Sequence, residues 1–160
     1  MALKSLFSFS LAWLIYAHSF GQQTAPTVTL SNPAGMARPT GYSHLAEVDV
    51  GSAKMVFIAG QVAMDGAGNV VGKDDPKAQF EQIFRNIQTL VKAAGGNMGN
   101  VIKLTIYFRN MTHLQLFRDV RDQFIDRQHP PTSTAVEVSH LFRDDFLAEV
   151  EAVAVIPKPK

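Results

Sequence analysis

Residues 129–156 read HPPTSTAVEVSHLFRDDFLAEVEAVAVI, and this stretch decides the fold. Two extended runs, Ser133–Val138 and Phe146–Ile156, are separated by a polar connector, Ser139–Asp145. Pro130-Pro131 ends any helix arriving from upstream. Side chains of a strand alternate between the two sheet faces, so Glu149 and Glu151 fall on the face of Leu147, Val153 and Val155. An ionised carboxylate withdrawn from water is unfavourable unless it is paired or hydrogen-bonded. Two acids on an apolar face therefore predict a polar network or a ligand site.

Upstream elements complete one layer. Tyr42–Val50 alternates, Gly51-Ser52 turns the chain, and Lys54–Ala59 is an apolar run of strand length, so the two runs pair as a hairpin. Gly60-Gln61 interrupts the second run as a bulge would. After a turn at Asp65–Asn69, Asp74 or Asp75 can cap a helix and Pro76 suits its first position. Phe80, Ile83, Phe84, Ile87, Leu90, Val91 and Ala94 then recur at helical spacing until Gly95-Gly96. Asn100–Phe108 reads as a central strand. Thr112 is the expected cap of a second helix carrying Leu114, Phe117, Val120 and Phe124. This order predicts an α+β fold, a single mixed sheet with two helices packed on one face. The other face is left uncovered and calls for self-association.

Composition narrows the class. With 46% hydrophobic and 18% charged residues, 160 residues make one globular domain rather than a disordered chain. The sequence has no cysteine, which removes disulfides, thiolate metal sites and a cysteine nucleophile. The five histidines, at 18, 44, 113, 129 and 140, lack paired ligand spacing, so no metal is expected. No glycine-rich phosphate loop opens a helix, and no cofactor is expected.

Residues 1–21 read as a signal peptide: Lys4 precedes the apolar run Leu6–Phe20, and small residues near Gly21 suit cleavage. The run carries Ser8, Ser10 and His18 and is short for a membrane span, which needs about 20 apolar residues. A periplasmic or secreted protein without membrane attachment follows. Cleavage there removes one of 15 basic residues and none of the 14 acidic ones, leaving a neutral chain with no field to gather nucleic acid. Residues 22–39 are an extended lead-in, with Val28–Leu30 pairing at a sheet edge, and 40–160 form the folded domain.

The ordered motifs GYSH at 41–44, VFIAGQV at 56–62, KAAGG at 92–96, VIKLTIYF at 101–108, PPTSTAVEV at 130–138 and EVEAVAV at 149–155 resemble the RidA (reactive intermediate/imine deaminase) family. Its usual closing signature is PPARSxVEV followed by an E-hydrophobic-E-A strand. The resemblance implies a chorismate-mutase-like fold and a homotrimer with small-molecule clefts between subunits. It also implies hydrolytic deamination of imines or enamines, with Glu149 as the catalytic acid–base group and Tyr42, Ser133 and His44 as substrate contacts. His44 stands where the family commonly has glutamine. Ser133 stands where deaminating members carry the arginine that grips the substrate carboxylate.

A guanidinium offers a rigid, permanently charged fork, whereas a hydroxyl offers one neutral donor. The resulting expectation is a neutral or differently charged carbonyl or imine-type ligand, or a trimer that binds without turnover. Cations that could stand in for the arginine are His44, Lys103, Arg109, His129 and Arg143.

Overall fold

The structure, a computed structural model, describes residues 27–159. The proposed signal peptide and the first residues of the lead-in lie outside the described residues. Eight main elements follow in order: β1 (Val28–Ser31), β2 (Leu45–Asp49), β3 (Ala53–Gln61), α1 (Pro76–Ala93), β4 (Val101–Phe108), α2 (Leu114–Arg121), β5 (Thr132–Glu137) and β6 (Ala148–Pro157). One six-stranded sheet runs β1-β2-β3-β6-β4-β5. Among the described strands only β4 and β5 pair in parallel, because α2 carries the chain back across the sheet between them. The fold is the expected α+β layer.

The terminal strand is the spine of this sheet, flanked by β3 and β4. Ala148, Val150, Ala152, Ala154 and Ile156 are buried on one face, with Val56 and Ile58 from β3 and Leu104, Ile106 and Phe108 from β4. Against them lies the α1 stripe of Phe80, Ile83, Phe84, Ile87, Leu90 and Val91, each fully buried. Phe117 of α2 locks the two helices to the sheet, with its ring 5.3 Å from Phe80, 5.3 Å from Phe84 and 5.1 Å from Phe108. Offset and edge-on aromatic packing of this kind adds to the burial of area. The acid-bearing face of β6 looks the other way.

Local chemistry explains most boundaries. Asp75 caps α1 by accepting the Ala78 N–H at 3.1 Å, Pro76 occupies the first turn, and Asp74 takes a positive φ of 61°. The β3 strand breaks register between Ile58 and Gln61, which is the bulge expected at Gly60-Gln61.

Three expectations are corrected. The first long strand starts at Leu45 rather than Tyr42, because Gly41 turns the chain and the His44 N–H goes to Asn32 Oδ1 at 2.9 Å. The cap before the second helix is Asn110, whose Oδ1 accepts the Thr112 N–H at 2.9 Å and starts a 3₁₀ turn over Met111–His113. The α2 helix ends at Arg121, so Phe124 stacks on Phe84 from the turn that follows. The expected edge pairing of the lead-in is present: Val28–Ser31 forms β1 along β2, and the segment also sends Met36 onto the core.

Candidate functional site

The β4–β6 register sets Tyr107 directly opposite Glu149 and Thr105 opposite Glu151. On this open face a groove of about 300 Å³ is lined by Tyr107, Val138, His140, Leu141, Phe142, Glu149 and Glu151. The Tyr107 hydroxyl donates to Glu151 Oε2 at 3.4 Å. The Glu151 charge, then burial, raises the Tyr107 pKa above its ordinary value, so the phenol stays a neutral donor.

Glu149 is half-buried, and its carboxyl lies over the bulge. A Cβ added to Gly60 would fall inside the Glu149 carboxylate, so glycine is what lets that acid lie flat on β3. Desolvation, followed by the neighbouring Glu151 charge, pushes the Glu149 pKa above the ordinary carboxylate value. A carboxyl tuned upward is better matched to exchanging protons near neutral pH.

Beside it, a smaller cavity of about 40 Å³ is lined by Met36, Ala37, Tyr42, His44, Gly60, Gln61, Val62, Met64, Asn86 and Phe142. Phe142 lines both hollows. Tyr42 is 52% exposed and sits edge-on to His44, with ring centroids 5.4 Å apart. Burial, then the Glu149 charge, raises the Tyr42 pKa. His44 is buried, its main-chain carbonyl accepts the Ala59 N–H, and its Nε2 lies 2.8 Å from the Ala37 carbonyl. That carbonyl requires Nε2 to carry the proton, which leaves Nδ1 as an acceptor with no partner among the described residues. His44 is thus a fixed wall rather than a surface charge. Asn86 closes the base of the cavity by donating to the carbonyls of Val62 at 3.1 Å and Met64 at 3.0 Å.

Tyr42, His44 and Glu149 therefore meet around Gly60. Ser133 does not join them within one chain. It pairs in register with Leu104, whose side chain is buried under the helices, whereas Tyr107 and Glu149 point to the open face. Ser133 lines a separate groove beneath α2, at the edge strand of the sheet. Of the cations named from the sequence, Arg109 faces Asp144, Arg143 faces Asp145 and His129 faces Asp126. Neither these three nor His44 or Lys103 lines the Ser133 groove. Tyr107 and Gly60 were not legible as site residues from sequence, because only the pairing of β6 with both neighbours brings them to Glu149. The described residues include no cluster of three or more His, Cys, Asp or Glu arranged to hold a metal. None of the described helices is long and apolar enough to cross a membrane.

The profile of the family described as Endoribonuclease L-PSP matches residues 35–156. The chain belongs to this family, the RidA/YjgF family. The RidA-family chain is 36% identical over 99 residues to a RutC family protein of Pyrococcus horikoshii, covering 62% of this chain and 77% of that relative. It is 31% identical over 110 residues to a 2-iminobutanoate/2-iminopropanoate deaminase of Salmonella typhimurium, covering 68% of this chain and 83% of the relative. The crystal structure of Escherichia coli TdcF with bound serine superposes with a TM-score of 0.65 at 28% identity, covering 79% of this chain and 96% of that one. RidA-family members thus include imine deaminases and a protein that binds a small amino acid.

Proposed function

We propose that this RidA-family protein is a homotrimer that binds a small imine, enamine or carbonyl metabolite in clefts between subunits and hydrolyses imines to a carbonyl compound and ammonia. The observation that carries the reading is Glu149: a half-buried carboxyl with a raised pKa, lying on Gly60 between Tyr42 and Tyr107, on a sheet face that none of the described helices covers. That face also exposes Phe57 and Val136, apolar surface that a second copy would cover. The separation of Ser133 from Glu149 fits the same assembly, because a cleft using both needs two chains.

In the proposed reaction, ionised Glu149 takes a proton from water as the oxygen bonds to the C=N carbon and passes it to the nitrogen, which gives a neutral carbinolamine. Glu149 then accepts the hydroxyl proton and delivers it to the amino nitrogen as the C–N bond breaks, so that ammonia leaves, the carbonyl forms and the carboxylate is restored. Water is consumed and no redox partner is needed. The tyrosine hydroxyls are placed to orient the water and the nitrogen.

Ammonia release from freshly generated imines tests this reading. Wild type should turn over, and Glu149→Gln should lose at least about 100-fold in kcat/KM, the range for a general acid–base group. If neither wild type nor Ser133→Arg releases ammonia although ligand still binds, the protein is a binding trimer without turnover. Light scattering showing a stable monomer would remove the shared clefts. The export reading predicts a mature N-terminus at Gln22, to be read by sequencing the periplasmic or secreted protein.

A further inference from the structure

Glu149 is half-buried although its sheet face is open, and its strand neighbours do not account for the lost water. Gly60 beneath the carboxyl has no side chain, and Glu151 on the same strand is a charge rather than a cover. The Tyr107 hydroxyl is given to Glu151, and the Glu149 carboxylate accepts no hydrogen bond among the described residues. Apolar cover comes instead from the connector between β5 and β6. Val138, Leu141 and Phe142 line the groove on the Tyr107 side of Glu149, and of these three only Phe142 also lines the cavity on the Gly60 side. The Phe142 ring is thus a wall common to both hollows, at the place where the carboxyl lies between them.

The connector is built to hold that ring lightly. At its start the Val138 N–H donates to the Phe108 carbonyl at 2.8 Å, and at its end Gln79 Nε2 donates to the Asp145 carbonyl at 2.8 Å. Between these ties the N–H groups of Ser139, His140, Leu141 and Phe142 find no backbone acceptor among the described residues. The Phe142 ring is anchored by the fully buried Phe146, with ring centroids 5.1 Å apart, while 65% of Phe142 remains exposed.

We infer that Phe142 is a positioning residue for Glu149: its ring closes the gap between the two hollows, keeps water from the carboxyl and holds that carboxyl down on Gly60. The inference rests on the reading of Glu149 as the acid–base group and adds the residue that controls it. An apolar wall disfavours the ionised form of a carboxyl it covers, so removing the ring should let water solvate the carboxylate and make it a weaker base. The titratable groups lining the two hollows with Glu149 are Glu151 on its own strand, Tyr107 on β4, Tyr42 and His44 ahead of β2, and His140 on the connector; β3 contributes none there. The connector's Arg143 and Asp145 pair with each other, and its Asp144 pairs with Arg109. A change at Phe142 alters none of these charges, so its effect on Glu149 reports water.

The test follows the glutamate carboxyls of the assembled mature protein by NMR through a pH titration, using isotope-labelled glutamate and assigning Glu149 by the resonance lost in Glu149→Gln. In wild type Glu149 should titrate at higher pH than the exposed glutamates. Phe142→Ala should move its midpoint toward lower pH, and Phe142→Leu, which keeps an apolar cover, should move it less. The acid limb of the ammonia-release profile should shift in the same order, because that limb reports ionisation of the general base. Phe142 is exposed, so its removal leaves the core intact, and circular dichroism verifies this. A merely structural role would lower Tm and leave the Glu149 midpoint where it was. An unmoved midpoint in folded Phe142→Ala overturns the inference, as do equal shifts in the alanine and leucine variants. A midpoint that moves as expected in a protein releasing no ammonia would leave Phe142 as the cover of Glu149 and defeat the deaminase reading instead.

Discussion

Gln79 is a polar residue with no exposure at all, and replacing it should show how the site end of β6 is held. Its Oε1 accepts the Leu147 N–H at 2.9 Å, and its Nε2 donates to the carbonyls of Asp145 at 2.8 Å and Gly72 at 3.2 Å. One side chain thus ties α1 to the connector immediately before β6, two residues ahead of Glu149. Gln79→Met keeps length and volume and deletes all three bonds. A neutral hydrogen bond is worth about 0.5–1.5 kcal/mol net, and a partner stranded away from water loses about 1–3 kcal/mol. The Asp145 and Gly72 carbonyls lie in surface loops and can be rehydrated, so the stranded Leu147 N–H carries the larger loss. The total comes to about 2–4 kcal/mol, which for a domain of this size lowers Tm by roughly 8–16 °C. Thermal unfolding followed by far-ultraviolet circular dichroism reads this directly. Protein concentration must be held fixed, since an assembling protein has a concentration-dependent Tm. A variant melting within about 2 °C of wild type would refute the clamp, because the three bonds of a fully buried side chain cannot be removed so cheaply.

The remaining predictions concern Glu149, its support and the helix start. For Glu149 the sign follows from a pKa raised in the folded chain: at acid pH both states hold the proton and stability is undiminished. As pH rises between the unfolded and folded values, the unfolded chain ionises first and stability falls, remaining lower above that window. Glu149→Gln removes this loss, so the variant should melt above wild type at neutral pH and with it at acid pH; equal melting at both would mean that the carboxyl is not desolvated. Gly60→Ala should push the Glu149 side chain off the bulge and cut ammonia release at least about ten-fold with a modest change in Tm; unchanged kcat/KM would sever the link between the bulge and the acid. Asp75→Ala removes the α1 cap and should reduce denaturant stability by about 1 kcal/mol without altering ligand affinity.

Much of the candidate site was legible before any coordinates, for a local reason. Alternation along residues 147–156 separates Glu149 and Glu151 from the buried alanines and valine of the other face, and the structure keeps that separation. Interruption of an apolar run at Gly60-Gln61 announced a bulge, though nothing in sequence said that a carboxylate would lie on it. Gln79 and Asn86 are invisible to a helical pattern built on apolar residues alone. Their spacing places them on the buried side of α1, where a polar side chain must be bonding something.

Taken alone, the sequence determined which segments are helix or strand, which face of each is apolar, and that two acids stand on the uncovered face. These properties depend on residue spacing and on turn and cap chemistry within a few positions. Tertiary structure decided who meets whom. Strand order and register set Tyr107 against Glu149 and Gly60 beneath it, and they send Ser133 to the opposite side under α2. Such pairings join residues tens of positions apart, and a shift of a single residue in register would exchange the faces, so no local pattern could have specified them.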